Sequence, residues 1–136
     1  MNYTEISKIT MDHLYQSYTS LANSPLDPLI RVLIELRVSQ INGCAECCGM
    51  HSEEARKLNI SQQKLDLLPG WAVSNAFTEK EKLALRWCEA VTGMKNDTQE
   101  IRNLLFNYYS EREIVDLTAC ISIMNTYNRM AICLKI

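Results

Sequence analysis

The chain has 136 residues, a net charge of −2 and 47% apolar residues, enough to bury one core and to argue against disorder. Nothing in that balance supplies the basic face a nucleic-acid partner demands. No apolar run approaches the ~20 residues of a membrane span, and the opening MNYTEISKITMDHLYQSY lacks a signal-peptide core, so a cytoplasmic protein is expected.

Strand signals are nearly absent, and apolar residues recur at helical spacing throughout. A first helix is expected from about Tyr3 to Tyr18, with Ile6, Ile9, Met11, Leu14 and Tyr18 as a broad apolar side. His13 within it reads as a solvated or partly buried histidine. Asn23-Ser24-Pro25 breaks that helix. Asp27-Pro28 opens the second, with Asp as cap and Pro at the first helical position. Leu29, Leu33, Leu36 and Ile41 keep the period up to Asn42-Gly43, a stop signal. A third helix starts near Cys44 and runs through Lys57, with Asn59 as its expected end. Ser61 caps a short fourth that ends before Pro69.

Leu68 to Phe77 reads as a loop carrying Trp71 and Phe77. Thr78 to Glu81 has the capping-box form and begins a helix reaching Gly93. Asp97 to Glu100 is a second capping signal, ahead of Ile101, Leu104, Leu105 and Tyr108. Ser110 to Glu113 is a third box. It opens the longest apolar helix, Ile114 to about Leu134, apolar almost all round and therefore central or buried at a subunit contact. Without repeats or linkers, one all-helical domain over residues 1–136 is expected.

The chemistry gathers between Glu35 and Lys57. Six cysteines could suggest a secreted disulfide scaffold. Cys44, Cys47 and Cys48 are bunched, however, and no export signal precedes them, which points to redox or metal chemistry. A Cys-x-x-Cys pair in the first turn of a helix puts two sulfurs on one face, and the helix N-terminus favours thiolate, the reacting species. Cys44 gains most from the helix dipole. Cys47 has His51 four residues on, where an imidazole can take its proton or hold its thiolate. Spacing does not decide which sulfur attacks. Gly43 before the pair would permit close approach of a substrate or another chain.

Glu35, Glu46, Glu53 and Glu54 are candidate carboxylates, each also readable as a solvated charge. Zinc on Cys44, Cys47 or Cys48 and His51 would have three ligands where a structural site needs four. Cys88, Cys120 and Cys133 lie on apolar helices and read as buried core thiols. Cys48 reads as packing or as a spare thiol.

Four segments, LRVSQINGCAECCGMHSEEARK, LPGW, FTEKEKLALRWCEAVT and SEREIVDLTACISIMNTYNRMA, resemble the carboxymuconolactone decarboxylase family in its AhpD-like alkylhydroperoxidase branch. The resemblance covers roughly Pro28 to Ile132. It implies six or seven helices, assembly as trimers or hexamers, and reduction of alkyl hydroperoxides by a dithiol. It implies no bound cofactor; the partners would be a small peroxide and a dithiol electron donor, a lipoyl protein or a thioredoxin-like one. Carried onto this sequence it makes Cys47 the attacked sulfur, Cys44 the resolving one and His51 the proton carrier. The family's glutamate falls at Val32 here, and Glu35, three residues later on the same helix, is the candidate substitute; Glu46 stands where AhpD has a histidine. An oligomeric redox sensor and a decarboxylase-type lyase are the alternative functions. The lyase branch generally lacks the cysteine pair.

Overall fold

The protein, seen here in a computed structural model, is described over residues 1–134, which hold helices and turns and no strand. Eight α-helices follow one another: α1 (Tyr3–Ile6), α2 (Lys8–Ser20), α3 (Pro28–Asn42), α4 (Ala45–Lys57), α5 (Gln62–Leu67), α6 (Glu79–Thr92), α7 (Thr98–Leu105) and α8 (Glu111–Leu134). Short 3-10 turns occupy Leu21–Asn23 and Leu68–Val73. This is the all-helical architecture that the sequence pattern calls for. The count is one above the expected six or seven because the first helix is divided.

The division falls at Ser7, whose backbone leaves helical dihedrals (φ −121°, ψ 52°). Its N–H closes α1 on the Tyr3 carbonyl, and its own carbonyl starts α2 by accepting from Met11. The expected apolar side is covered only in part: Met11, Leu14 and Tyr18 are half-buried. Ile6 and Ile9 are 72% and 76% exposed, and α2 contributes no buried residue. His13 is exposed, in keeping with its solvated reading.

α3 is the centre of the molecule. It packs on α4, α6 and α8, and eight of its residues are buried, including Val32, Leu33, Ile34, Glu35 and Leu36. Leu29 and Ile41, expected on its apolar face, lie at its ends and are exposed. α8 is the second pillar, against α3, α6 and α2. Its inner face buries Leu117, Cys120, Ile121 and Met124, while Val115 and Ile132 face outward.

The caps explain the boundaries. Asp27 accepts a hydrogen bond from the Leu29 N–H at 2.9 Å, and Pro28 begins α3. Ser61 caps α5 through the Lys64 N–H. Thr78 and Glu81 form a reciprocal box, as do Ser110 and Glu113. Asp97 stands at the cap position of α7 without capping it; its carboxylate lies 3.7 Å from Arg86 instead. The expected loop at Leu68 is partly helical, and it is fastened from within. Phe77 is buried, and the Trp71 indole N–H donates to Glu89, which also pairs with Arg37. No helix among the described residues is long and apolar enough to cross a membrane.

Candidate active site

The dithiol is made by one turn. Gly43 ends α3 in the left-handed region (φ 72°), where a residue without Cβ is unstrained. Its N–H returns to Gln40, and the next N–H, that of Cys44, returns to Ser39. No atom of the described residues lies within 4 Å of where a Gly43 Cβ would stand, so within this chain it is the turn that calls for glycine here. Cys44 then becomes the N-cap of α4, its sulfur accepting from the Cys47 N–H at 3.3 Å. A disulfide joins Cys44 to Cys47, with their Cα atoms 5.3 Å apart. Both are buried, at 3% and 7% exposure.

Polar side chains at the core tie this turn to α8. The Asn42 amide donates to Asn125 and Asn128, both at 3.0 Å. Asn128 in turn donates to Ser39, whose carbonyl receives the Cys44 N–H. The turn that presents the sulfurs is thus fixed from two helices, with the buried amides satisfied by one another.

One turn beyond Cys47, His51 is buried between α3 and α4. Its Nδ1 lies 2.8 Å from Glu54 Oε2 and 3.4 Å from Glu35 Oε2. Ionised carboxylates accept and do not donate. Against an ionised Glu54 the tautomer that satisfies this contact has its proton on Nδ1, and it leaves Nε2 free to accept one. Glu35 is buried too, its other oxygen 3.3 Å from Arg31 Nε and 3.7 Å from the Cys120 sulfur. Burial pushes the Glu35 carboxyl above its ordinary range, partly offset by His51 and Arg31. Burial and the charges of Glu35 and Glu54 also raise the Tyr18 phenol, whose ring lies under the Arg31 guanidinium.

Two openings reach this centre. A cavity of about 420 Å³ is lined by Cys47, His51 and Glu54 on one side and by Tyr3, Tyr15 and Tyr127 on another. Cys44 is absent from its wall, so the sulfur an entering molecule meets is that of Cys47. A smaller cavity of about 290 Å³ approaches from the Arg31, Val32 and Glu35 side. Tyr18 and Glu54 border both.

The structure therefore brings together Cys47, His51, Glu35 and Glu54, with Cys44 bonded behind them. Glu53 is elsewhere, paired with Lys57 at the surface, and Glu46 stands at the rim of the larger cavity. Val32, at the family's glutamate position, lines the smaller cavity, whereas Glu35 reaches the histidine. Cys48 packs against the core, and burial raises its thiol. Cys88 and Cys120 are buried as expected, with Cys88 pushed up to about 12. Cys133 is not: it is exposed, on the outward side of the end of α8. Reasoning from sequence missed Arg31, Tyr18 and Cys120. Arg31 was detectable as the i−4 partner of Glu35. The other two come from distant segments and carry no local signal.

Comparison with known proteins agrees with this architecture. A sequence model of the carboxymuconolactone decarboxylase family matches residues 6–90. The uncharacterized protein YdfG of Bacillus subtilis (strain 168) is 35% identical over 97% of this chain and 91% of its own length. YnjA of Escherichia coli K12, also uncharacterized, is 27% identical over 82% of this chain and 62% of its own length. A crystal structure of a protein of unknown function from Agrobacterium tumefaciens, provisionally named an antioxidant defence protein AhpD, superposes with a TM-score of 0.89 at 34% identity, covering 99% of this chain and 94% of that one. An uncharacterized peroxidase-related protein from Silicibacter sp. TM1040 shares the fold with a TM-score of 0.81 at 24% identity, covering 90% and 66%. With a match across more than half its length and a relative aligned over nearly all of it, the chain belongs to the carboxymuconolactone decarboxylase family.

Proposed function

We propose that this protein is a thiol-dependent oxidoreductase that reduces organic hydroperoxides through a dithiol–disulfide cycle at Cys44 and Cys47. One observation carries it. A sulfur of a formed Cys-x-x-Cys disulfide and a histidine backed by two carboxylates line the same cavity. The provisional antioxidant name of the Agrobacterium neighbour points the same way.

In the reduced protein, His51 takes the Cys47 proton on Nε2. The Cys47 thiolate attacks the terminal peroxide oxygen, and the O–O bond breaks. The departing alkoxide takes a proton from His51 and leaves as an alcohol, and Cys47 becomes a sulfenic acid. The Cys44 sulfur then displaces water from Cys47, closing the disulfide. The Cys44 position at the α4 cap, where its sulfur accepts a backbone N–H, favours the thiolate it needs. An external dithiol, lipoyl or thioredoxin-like, reopens the bond and is itself oxidised to a disulfide. Glu35 and Glu54 hold the imidazole tautomer and its charge. The same reading expects a homo-oligomer, trimer or hexamer, for which outward apolar residues such as Val115 and Ile132 offer surface.

The test is turnover of an alkyl hydroperoxide with a supplied dithiol, alongside a thiol count. Without the donor, one equivalent of peroxide should remove two free thiols from the reduced protein; with it, turnover should continue, and Cys47→Ser should abolish it. Full turnover in the Cys47→Ser protein would rule the scheme out.

A further inference from the structure

We propose that Cys120 is a positioning residue for the dithiol chemistry: its S–H and Arg31 grip one oxygen of Glu35, so that the other faces His51. This rests on the reading of Glu35 as the carboxylate that orients His51. The division of labour is visible atom by atom. Glu35 Oε1 has Arg31 Nε at 3.3 Å and the Cys120 sulfur at 3.7 Å. Glu35 Oε2 has His51 Nδ1 at 3.4 Å. The last torsion of a glutamate is broad, so a carboxylate held at one oxygen by one donor still swings. Two donors arriving from different helices, α3 and α8, remove that freedom.

A buried thiol on an apolar helix serves ordinarily as filling. Cys120 differs because it spends its one hydrogen on a buried carboxylate and not on a helix carbonyl. It also keeps that hydrogen. Burial and the nearby Glu35 charge push its ionisation far above neutrality, so the group remains an S–H donor. The groups that face Glu35 are Arg31 on its own helix, His51 and Glu54 from α4, Tyr18 from α2 and Cys120 from α8. Burial and Glu54 raise its carboxyl, while His51, Arg31 and the Cys120 hydrogen bond lower it. Removing the S–H should therefore move Glu35 further up and release the oxygen that faces His51.

The experiment compares Cys120→Val, apolar and without a donor, with Cys120→Ser, which restores one. Cys120→Ala replaces the valine variant if that one does not fold. Two readouts are taken: the carboxyl-carbon NMR titration of Glu35 in the oxidised protein, and kcat/KM for an alkyl hydroperoxide against pH. In the valine protein the Glu35 midpoint should move to higher pH. Its kcat/KM should fall about tenfold on the acid side, with KM unchanged. Serine should bring both back to within about twofold of the native profile. A valine or alanine protein that is merely less stable, with the native Glu35 midpoint and native acid limb, overturns the proposal, as does failure of serine to rescue. If the native protein turns over no peroxide, the proposed reaction falls, and the Glu35 titration still decides the role of Cys120.

Discussion

At position 35 burial and charge pull in opposite directions, and burial wins: the carboxyl sits above its ordinary value near 4.5 although Arg31 and His51 are beside it. A raised carboxylate binds its proton more tightly folded than unfolded. Its contribution to stability is thus fully present below the unfolded value and is lost as pH rises through the folded one. Glu35→Gln removes that titration. The stability of the variant relative to the native protein, measured by urea unfolding at a series of pH values, should therefore increase as pH climbs from about 4.5 through the Glu35 midpoint. A difference that stays flat across that window would show that the carboxyl is not raised. The site was legible to the extent that it is local. Cys44, Cys47 and His51 are one, two and three steps of a single helical face, and their spacing announces them. Glu35 could only be a candidate, because its place depends on how α4 folds back on α3. The family's glutamate position pointed to Val32, almost a full turn away, and only the packing of the two helices shows that Glu35 points at the histidine. Cys120, 85 residues further along the chain, had no way to declare itself.

Element boundaries were read from capping chemistry, and they held where the capping side chain is free to turn back. Thr78 and Ser110 both close reciprocal boxes, whereas Asp97 is drawn toward Arg86 and leaves its helix uncapped. The consequence is a contrast between two superficially similar substitutions. Thr78→Ala should cost about 1 kcal/mol, while Asp97→Ala should stay within about 0.5 kcal/mol. Gly43→Ala should cost about 1 kcal/mol from backbone strain, since space is available but the left-handed conformation is not. Equilibrium denaturation checks all three, and equal losses at Thr78 and Asp97 would contradict the capping assignments. The first helix was misread for a different reason. Apolar spacing reports a face able to be buried, not a surface to bury it against, and Ile6 and Ile9 find none among the described residues. Nor does spacing register a single serine such as Ser7 stepping out of helical dihedrals.

Over the whole molecule, stability should be graded from the core outward. α3, α6 and α8 pack on one another and carry most of the buried apolar side chains. No residue of α1 or α2 is fully buried, although Met11, Leu14 and Tyr18 are half-buried; α2 touches the rest mainly at α8 and the Leu21–Asn23 turn. Yet these two helices supply Tyr3, Tyr15 and Tyr18 to the wall of the cavity over Cys47. Tyr18 meets Tyr127 of α8 edge-on, with ring centroids 6.1 Å apart, and the Tyr127 hydroxyl is buried without a hydrogen-bond partner among the described residues. The wall is therefore held by aromatic contact and by no buried polar anchor at that hydroxyl. Local opening free energy follows buried contacts, so segments with few of them open far more often than the core. Amide hydrogen exchange under native conditions should place residues 3–20 near the fast end, with protection at least about tenfold below that of α3 and α8. Tyr127→Phe removes the unsatisfied hydroxyl and keeps the ring contact, so it should slow exchange in α2 without altering α3. Protection of α2 equal to that of α3 would mean that the aromatic wall is as fixed as the core. The cavity would then be a rigid vessel, not one whose cover opens ahead of global unfolding.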